Sequence, residues 1–444
     1  MAPPSEQRLV NQAFRFELDP NEAQRLRLAR SVGCSRFVYN WGLAESQREY
    51  ERTGKRPRLS ELKARLVTLK KTEAPWLYEV SAHIGQQALV DLNGAFEKFF
   101  KGCKGEGRKS GFPRFHKKGE NDSARLYEMT LHERHLDLPK IGLVRLKETR
   151  TAHGFEGRIL SATITRRADR WFCSLAVERE REIVLPKPVL GARDAVGIDL
   201  GLKSAAVLHD GETTQTISAP QTLRRNLVAL ARLDRQLARK QRGSANREKA
   251  KLRRSRLLYR ISCQRNDFLH QLSSELTKTK SVIVLEDLHV EGMKRGKHLG
   301  LSVGDAGLGE LRRQVTYKGE WYGARLIIAD RFFPSTQLCS SCGCLNPAVK
   351  GFAGLKERLF VCPACTLTID RDENAAINLR AYGLRELQLP EGIREVTPVE
   401  KKALAPAVDD GAKPASAKQE ATARCRARGS VTRIGAGKPV PVAA

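Results

Sequence analysis

Five of the ten cysteines crowd into 27 residues, and four of them form two pairs of identical spacing. Cys339 and Cys342 make the first Cys-x-x-Cys pair, 19 residues follow, and Cys362 and Cys365 make the second. Two such knuckles can place four thiolates around one Zn²⁺ ion, and four protein ligands leave no coordination position open for catalysis. The spacing therefore predicts a structural zinc ribbon. Cys344 is a rival ligand, although Cys-x-Cys is a poorer chelate.

Acidic residues stand at points where predicted elements begin or end. Asp199 lies in the predicted strand 196–200, and because side chains alternate along a strand it faces away from the apolar side chains of that strand. Glu286 ends the apolar run 282–285, and the carboxyl ends of parallel strands commonly border a site at the rim of a sheet. Taken alone, each acid is also consistent with a helix cap or a solvated strand end.

Asp370 and Asp372 begin a predicted helix that continues through residues 375–379. Residues two apart on a helix do not share a face, so we expect one acid to cap the helix and the other to be a site ligand. Both acids also suit a helix N-terminus, whose partial positive charge favours them. The helix is expected to end at Gly383.

The composition restricts the possible partners. The 444 residues include 79 Lys and Arg against 50 Asp and Glu, a net charge of +29, which favours a polyanionic partner. With 41% apolar residues, the chain can form about two to four domains, and wholesale disorder is excluded. We find neither a membrane span nor a signal peptide, and we expect a cytosolic protein.

The N-terminal part is predicted to be mainly helical. A strand at 14–18 leads into a helix start made by Asp19 as N-cap, Pro20 and the capping-box acid Glu22. We expect the helical region, which runs to about residue 100, to be interrupted at Gly33, at residues 53–58 and at Pro75. Residues 101–118 hold seven Lys and Arg and four Gly, which predicts a basic loop and a domain boundary.

The remaining chain alternates between predicted strands and one strongly basic segment. Residues 221–260 contain 14 Lys and Arg against two acids, with leucines at helical spacing, which predicts a basic amphipathic helix pair that needs a polyanion. The other predicted elements are a small β unit at 127–185, a linker at 186–195, a hairpin of 196–200 with 204–208, and buried strands at 282–285 and 324–329.

Taken together, these motifs resemble the TnpB (OrfB) family of RNA-guided DNA nucleases encoded in insertion sequences, and more distantly the type V CRISPR effectors. The resemblance covers about residues 14–383. Its main segments are Gly197-Ile198-Asp199-Leu200-Gly201, Leu285-Glu286-Asp287-Leu288, residues 333–343 around the first cysteine pair, and residues 370–378. Cys365 is followed by Thr366 where the family usually has glycine, which leaves the second knuckle turn in question.

The resemblance implies an α/β multidomain fold. Its parts would be a RuvC (RNase H-like) nuclease domain with an inserted zinc ribbon, an N-terminal helical lobe and a small β-barrel-like wedge domain. The expected boundaries are 1–20 for the first wedge strand, 21–118 for the helical lobe, 119–190 for the wedge, 191–334 and 369–385 for the nuclease domain, 335–368 for the ribbon, and 386–444 for a basic disordered tail.

The resemblance also implies chemistry and partners. Asp199, Glu286 and Asp372 would be the catalytic acids of a metal-dependent endodeoxyribonuclease and would bind Mg²⁺ or Mn²⁺, with Arg371 and Asn374 assisting substrate phosphates. The expected partners are a guide RNA derived from the transposon end and double-stranded target DNA beside a flanking motif. We expect a monomeric ribonucleoprotein, associated with a prokaryotic nucleoid.

Three alternatives stay open. A DDE-type transposase would also use three acids, but its acid order ends in Glu and it needs no ribbon before the last acid. A nuclease-dead RNA-guided binding protein would have lost at least one acid. A compact type V CRISPR effector would look the same at these motifs, and genomic neighbourhood would separate it.

Overall fold

A seven-stranded antiparallel sheet and three helices form the first part of the chain. The computed structural model describes residues 5–107, 110–119, 122–148, 156–189, 191–296, 299–349 and 358–387. The helices are α1 (Glu22–Thr53), α2 (Leu59–Thr72) and α3 (Ala82–Lys104), with a 3₁₀ turn at Pro75–Glu79. The strands are β1 (Ser5–Asp19), β2 (Ser123–Leu126), β3 (Thr130–Leu131), β4 (His135–Leu138), β5 (Gly142–Leu146), β6 (Arg158–Arg167) and β7 (Arg170–Val184), in the order β2-β6-β7-β1-β5-β4-β3.

The sheet and the helices share one hydrophobic core. Phe16 and Leu18 of β1 are buried in the same cluster as Leu28 of α1, Leu89 of α3 and Leu175 of β7. The predicted helical lobe and wedge domain are therefore packed against each other without a solvent layer. The boundaries between them, and the barrel-like closure of the wedge, stay predictions.

Three details of the N-terminal prediction were wrong. The strand predicted at 14–18 spans Ser5–Asp19, because β1 pairs with β7 from Ser5↔Val184 to Leu18↔Trp171. Since β1 pairing continues through Asp19, the N-cap of α1 is Asn21, whose side chain accepts from the backbone N–H of Gln24 at 2.9 Å. Helix α1 also runs through Gly33 without a break, since its buried neighbours Val32 and Cys34 anchor the helix.

The basic segment 101–118 is partly helical and packs on the helical bundle. Helix α3 extends to Lys104, so the loop begins later than predicted. The Phe112 ring contacts the Phe96 ring at 5.6 Å, and the His116 ring stacks on Tyr39 at 3.8 Å. Because aromatic contacts hold the segment against α1 and α3, it is not a free linker.

A five-stranded mixed sheet forms the second part. Its strands are β8 (Ala195–Asp199), β9 (Ser204–His209), β10 (Thr214–Ser218), β11 (Val282–Glu286) and β12 (Arg325–Ala329), in the order β10-β9-β8-β11-β12. The first three are antiparallel, whereas β8, β11 and β12 are parallel. The predicted hairpin and the buried strand at 282–285 are confirmed. The strand predicted at 324–329 is also present, but it is only partly buried because β12 lies at the edge of the sheet.

Helices cover both faces of this sheet. They are α4 (Thr222–Arg225), α5 (Leu227–Ala238), α6 (Ala245–Thr279), α7 (Val290–Arg295), α8 (Gly300–Ala306), α9 (Leu308–Tyr322) and α10 (Arg371–Glu386). Helices α4 to α6 confirm the predicted basic helices. Leu272 of α6 and Leu311 of α9 pack with Val196 and Ile198 on one face, and Leu379 of α10 packs with Ala195 on the other.

Helix α10 approaches the sheet at two glycines. A Cβ added at Gly197 of β8 would lie 2.1 Å from the Ala376 carbonyl oxygen, and one added at Gly383 would lie 2.3 Å from Val284 Cγ2. The prediction that the helix ends at Gly383 was wrong, because this glycine lies inside α10 and permits close packing on β11. The tail predicted at 386–444 lies outside the described residues from 388 onward.

The ribbon between β12 and α10 contains the short strands β13 (Leu359–Val361) and β14 (Thr368–Asp370), which pair antiparallel. Its small core contains Cys339, Val349, Phe360 and Cys362. Among the helices that the structure describes, none has the length and apolar character needed to cross a membrane.

Candidate active site

Three acids from separate elements meet at one edge of the five-stranded sheet. Asp199 is the last residue of β8 and Glu286 the last of β11, and these strands are parallel neighbours with Leu285 opposite Ile198. Their carboxyl ends therefore lie at the same edge. Asp372, in the first turn of α10, is close enough to raise the pKa of both other acids.

Burial and like charge disfavour ionisation of Asp199. Only 8% of this residue is exposed, because β8 is covered by helices on both faces. Burial raises the pKa of its carboxyl well above the usual range, and the charges of Glu286 and Asp372 raise it further, while Arg371 lowers it. The protein thus holds acidic groups together at an electrostatic cost that a bound cation would relieve.

Glu286 is positioned by a hydrogen bond from the ribbon side of the site. Burial raises the pKa of its carboxyl, the hydroxyl of Ser335 donates to Oε1 and opposes that rise, and Asp372 adds to it. Ser335 itself is buried. Our sequence analysis included this serine in a resembling segment but assigned it no role.

The structure gives Asp370 and Asp372 different positions. The Asp370 carboxylate accepts from the backbone N–H groups of Asp372 at 2.9 Å and Glu373 at 3.2 Å, which makes Asp370 the N-cap of α10. Asp372 is 8% exposed. It forms ion pairs with Arg358 at 2.8 Å and Arg371 at 3.0 Å.

Arg358 was missed by the sequence analysis. It directly precedes β13, between the two cysteine pairs, where the sequence analysis assigned no role to any residue. Its guanidinium reaches Asp372 only because the ribbon folds back onto the start of α10, where the Arg371 backbone N–H donates to the Arg358 carbonyl at 2.8 Å. This ion pair can be found only from the tertiary structure, because residues 358 and 372 belong to different elements.

Asn374 does not serve the role that we predicted for it. It is fully buried, its Nδ2 donates to the Leu338 carbonyl at 2.7 Å, and its Oδ1 accepts from the Ser340 backbone N–H at 3.0 Å. Asn378, one turn later, also donates to the Leu338 carbonyl, at 2.7 Å. Because its amide is already bonded to the first knuckle, Asn374 is not available to bind a substrate phosphate.

The four paired cysteines form a compact sulfur cluster. The ligand atoms of Cys339, Cys342, Cys362 and Cys365 all lie within 4.8 Å of one another. Sγ–Sγ distances are 3.6 Å for Cys339–Cys365 and 3.5 Å for Cys342–Cys362. This set fits one tetrahedral Zn²⁺ ion. The rival Cys344 lies outside the cluster, with its thiol 3.7 Å from the Leu345 carbonyl oxygen.

The two knuckles have the same backbone turn despite different residues. The Gly343 N–H donates to the Cys339 carbonyl at 3.0 Å, and the Thr366 N–H donates to the Cys362 carbonyl at 3.1 Å. Both residues have a left-handed backbone conformation, with φ of 74° at Gly343 and 58° at Thr366. The missing glycine therefore leaves the second turn intact but places a β-branched residue in a strained conformation.

Sequence comparisons match three regions of the chain to described families. A profile described as "Probable transposase" matches residues 174–297, and one described as "Cas12f1-like, TNB domain" matches residues 309–379. A third, described as "Helix-turn-helix domain", matches residues 10–55. That description does not fit the local structure, because the region holds the end of β1 and the single helix α1.

Whole-chain comparisons extend the similarity. A Streptomyces pristinaespiralis protein, named provisionally as an RNA-guided DNA endonuclease, is 36% identical over 392 residues, which cover 87% of this chain and 92% of that protein. InsQ of Escherichia coli K12, with the same provisional name, is 30% identical over 410 residues, covering 88% and 97%. A solved Cas12f1–sgRNA–target DNA complex aligns over 84% of this chain and 99% of that one, with 18% sequence identity and a TM-score of 0.33. A TM-score this low carries no argument about fold or function.

Proposed function

The chain belongs to the TnpB (OrfB) family of RNA-guided DNA endonucleases encoded in insertion sequences, and we propose that it cleaves guide-matched DNA at one RuvC-type site. The cut would fall in double-stranded DNA beside a short flanking motif. Asp199, Glu286 and Asp372 would form that site.

The convergence of these three acids is the observation that carries the proposal. Two of them end neighbouring parallel strands, the third begins the helix packed across those strands, and their charges raise the pKa of Asp199. Three unrelated helix caps or solvated strand ends have no reason to share one buried edge. Acids whose pKa values are raised by burial and by neighbouring charges, as those of Asp199 and Glu286 are, are typical of functional sites.

The donor set fits hard divalent cations. Carboxylate oxygens are the ligands that Mg²⁺ and Mn²⁺ prefer, and all three acids offer them. Bound there, such ions would stabilise the attacking and leaving oxygens during hydrolysis of a phosphodiester. The protein's own part is positional: Ser335 orients Glu286, while Arg358 and Arg371 hold Asp372 at the start of α10.

The basic helices support a nucleic-acid partner. Helices α5 and α6 and the turn between them expose many cations, and only a few of these have acidic partners in the structure, such as Arg254 with Asp234 and Arg256 with Asp169. A polyanion would offset this excess charge, and binding that depends on phosphate contacts weakens steeply with salt. A guide RNA and its target DNA supply such phosphates. The monomeric state and the nucleoid location stay predictions.

The test begins with the RNA that purifies with the protein. We expect one dominant RNA species, and we expect the complex to cut DNA that matches it only when Mg²⁺ or Mn²⁺ is present. Asp199→Ala, Glu286→Ala and Asp372→Ala should each abolish cleavage while leaving RNA and target binding nearly intact. Asp370→Ala is the matched control, expected to lose about 1 kcal/mol of helix-capping stability and to retain cleavage.

Two results would contradict the proposal. If Asp370→Ala is inactive and Asp372→Ala is active, the assignment of the third acid is wrong. If all four variants cut like the parent, the acid cluster is not the nuclease site.

A further inference from the structure

Phe332 is exposed to an unusual degree for a large apolar residue. Its exposed fraction is 87%, the highest among the exposed large apolar side chains of the described residues, where Val228 follows with 82%. A single apolar side chain on a surface is common and needs no explanation by itself. Its position and the held backbone turn that carries it distinguish Phe332.

The turn that carries Phe332 is held on both sides. The Phe332 N–H donates to Asp330 Oδ1 at 2.8 Å, and the Phe333 N–H donates to the Asp330 carbonyl at 3.0 Å. On one side Arg331 forms an ion pair with Asp287, and on the other the Phe333 ring packs against Tyr382 of α10 at 4.8 Å. The exposed ring therefore sits on a fixed backbone.

The same contacts place Phe332 at the acidic edge of the sheet. Strand β12 runs parallel to β11 with Ala329 opposite Glu286, so the turn after β12 leaves from the edge where Glu286 lies. Arg331 pairs with Asp287, the residue that follows Glu286. Three residues after Phe332, Ser335 donates its hydroxyl to Glu286. The chain on both sides of Phe332 is thus bonded at the acid site, through Arg331 before the ring and through Ser335 after it.

We propose that Phe332 is a stacking platform for an unpaired base of the DNA strand that enters the acid site. The inference rests on the proposed nuclease function and names the form of its substrate. An exposed aromatic ring on a fixed backbone offers a face to any base, whereas bases inside a duplex are already stacked on their neighbours. Asp330 and Arg331, the two residues before the ring, are exposed and charged, which makes an apolar protein contact at this spot less favourable.

Stacking at Phe332 would act on substrate placement. A base held by the ring fixes the position of its own phosphate relative to Asp199, Glu286 and Asp372. Because every base has an aromatic face, we expect the contact to tolerate any sequence. Phe332 is therefore a substrate-binding residue that leaves sequence selection to the guide.

The experiment uses the protein with its co-purified RNA and single-stranded DNA that carries 2-aminopurine at successive positions, one per oligonucleotide. Stacking quenches this fluorescent base, so at one or two positions the parent should quench it. Phe332→Tyr should keep the quenching and Phe332→Ala should lose it. Phe332→Leu, which is apolar but has no aromatic face, should also lose it. Leu9→Ala, an exposed apolar residue on the other sheet, is the control and should behave like the parent.

Cleavage of guide-matched DNA provides a second readout. We expect Phe332→Ala to raise KM roughly tenfold, the loss typical of one base stack, with a smaller change in kcat. Melting temperatures should be unchanged, because the side chain has few contacts to lose. The inference is overturned if the base is quenched as strongly in Phe332→Leu as in Phe332→Tyr, or if no position shows quenching that depends on Phe332. The quenching measurement does not depend on cleavage. A protein that quenches the base but does not cut DNA would therefore contradict the nuclease proposal without contradicting base stacking at Phe332.

Discussion

The backbone N–H of Ser340 donates to the side-chain oxygen of Asn374 at 3.0 Å, which joins the first zinc knuckle to the helix that carries Asp372. The Asn374 side chain also donates to the Leu338 carbonyl at 2.7 Å. Both bonds are partly buried, and Asn374 lies two residues after Asp372. The ribbon is therefore part of the support for the third acid.

Asn374→Ala should weaken cleavage while the zinc remains bound. The substitution leaves the Ser340 N–H without its acceptor, while the Leu338 carbonyl keeps the bond from Asn378, at a cost of about 1 to 3 kcal/mol. We expect about one zinc per chain in parent and variant, from the four-thiolate site, and cleavage lowered roughly tenfold as α10 shifts. Elemental analysis and single-turnover cleavage provide the measurements. Asn346→Ala is the matched control, because Asn346 bonds Val361 and Ala348 within the ribbon. An equal loss of cleavage in both variants would contradict the prediction, because any weakening of the ribbon would then lower cleavage.

Asp199→Asn should stabilise the protein and abolish cleavage. The folded-state pKa of Asp199 is raised, so at neutral pH the ionised carboxylate opposes folding. A neutral amide of the same shape removes that cost, and we expect a gain of about 1 to 2 kcal/mol in the free energy of unfolding without added Mg²⁺. Thermal unfolding measures the gain. A variant less stable than the parent would contradict the electrostatic interpretation.

Thr366→Gly should stabilise the second zinc knuckle. Thr366 has a φ of 58°, a conformation that costs a β-branched residue about 1 kcal/mol or more and glycine almost nothing. We expect slower zinc loss to a chelator. The reciprocal change, Gly343→Thr in the first knuckle, should speed zinc loss, because it introduces the same strain. The prediction fails if the glycine variant releases zinc faster than the parent.

Gly197→Ala should disrupt the acid site by forcing α10 away from β8. The added Cβ would lie 2.1 Å from the Ala376 carbonyl oxygen and 2.4 Å from the Arg380 nitrogen, both backbone atoms of α10. The helix must move away, and Asp372 moves with it. We expect a loss of about 2 kcal/mol or more in stability and a loss of cleavage. Gly94→Ala is the control: a Cβ there meets nothing within 4 Å, and alanine inside a helix should be neutral or stabilising.

Asp210 should make the protein sensitive to acid. Burial alone would raise the pKa of its carboxyl, but hydrogen bonds from the Thr213 and Glu212 backbone N–H groups and from Lys280 Nζ lower it well below the usual range. A depressed folded-state pKa contributes stability above the unfolded pKa near 4 and loses it as the pH falls further. Asp210→Asn should therefore cost about 2 kcal/mol at pH 7 and roughly half of that or less at pH 2, because the folded-state carboxyl takes up its proton only in strong acid. Denaturant unfolding at both pH values decides the matter, and a constant difference would refute it.

Local patterns were sufficient for the parts of this protein whose geometry is set by neighbours in sequence. The Cys-x-x-Cys spacing brings two thiols to one turn, so the four-cysteine cluster could be expected before any fold was known. Alternation along 196–200 placed Asp199 opposite the leucine and isoleucine face because a strand has a period of two. Helix geometry predicted in the same way that one of Asp370 and Asp372 would cap the helix and the other would face the site, whereas the choice of Asp372 came from the family resemblance, and its role in catalysis stays a prediction.

Contacts between distant segments were decided by the tertiary structure alone. Arg358 pairs with Asp372, and Asn374 bonds the first knuckle, only after the ribbon packs on α10. Gly33 and Gly383 were predicted as helix breaks because glycine is a poor helix former, yet both lie inside helices, and at Gly383 close packing on Val284 outweighs that preference. Local propensity contributes about 1 kcal/mol per residue, whereas burial of a helix face contributes several times more. For that reason the sequence determined which groups could do chemistry, and the packing of α10 and the ribbon on the sheet decided which of them meet.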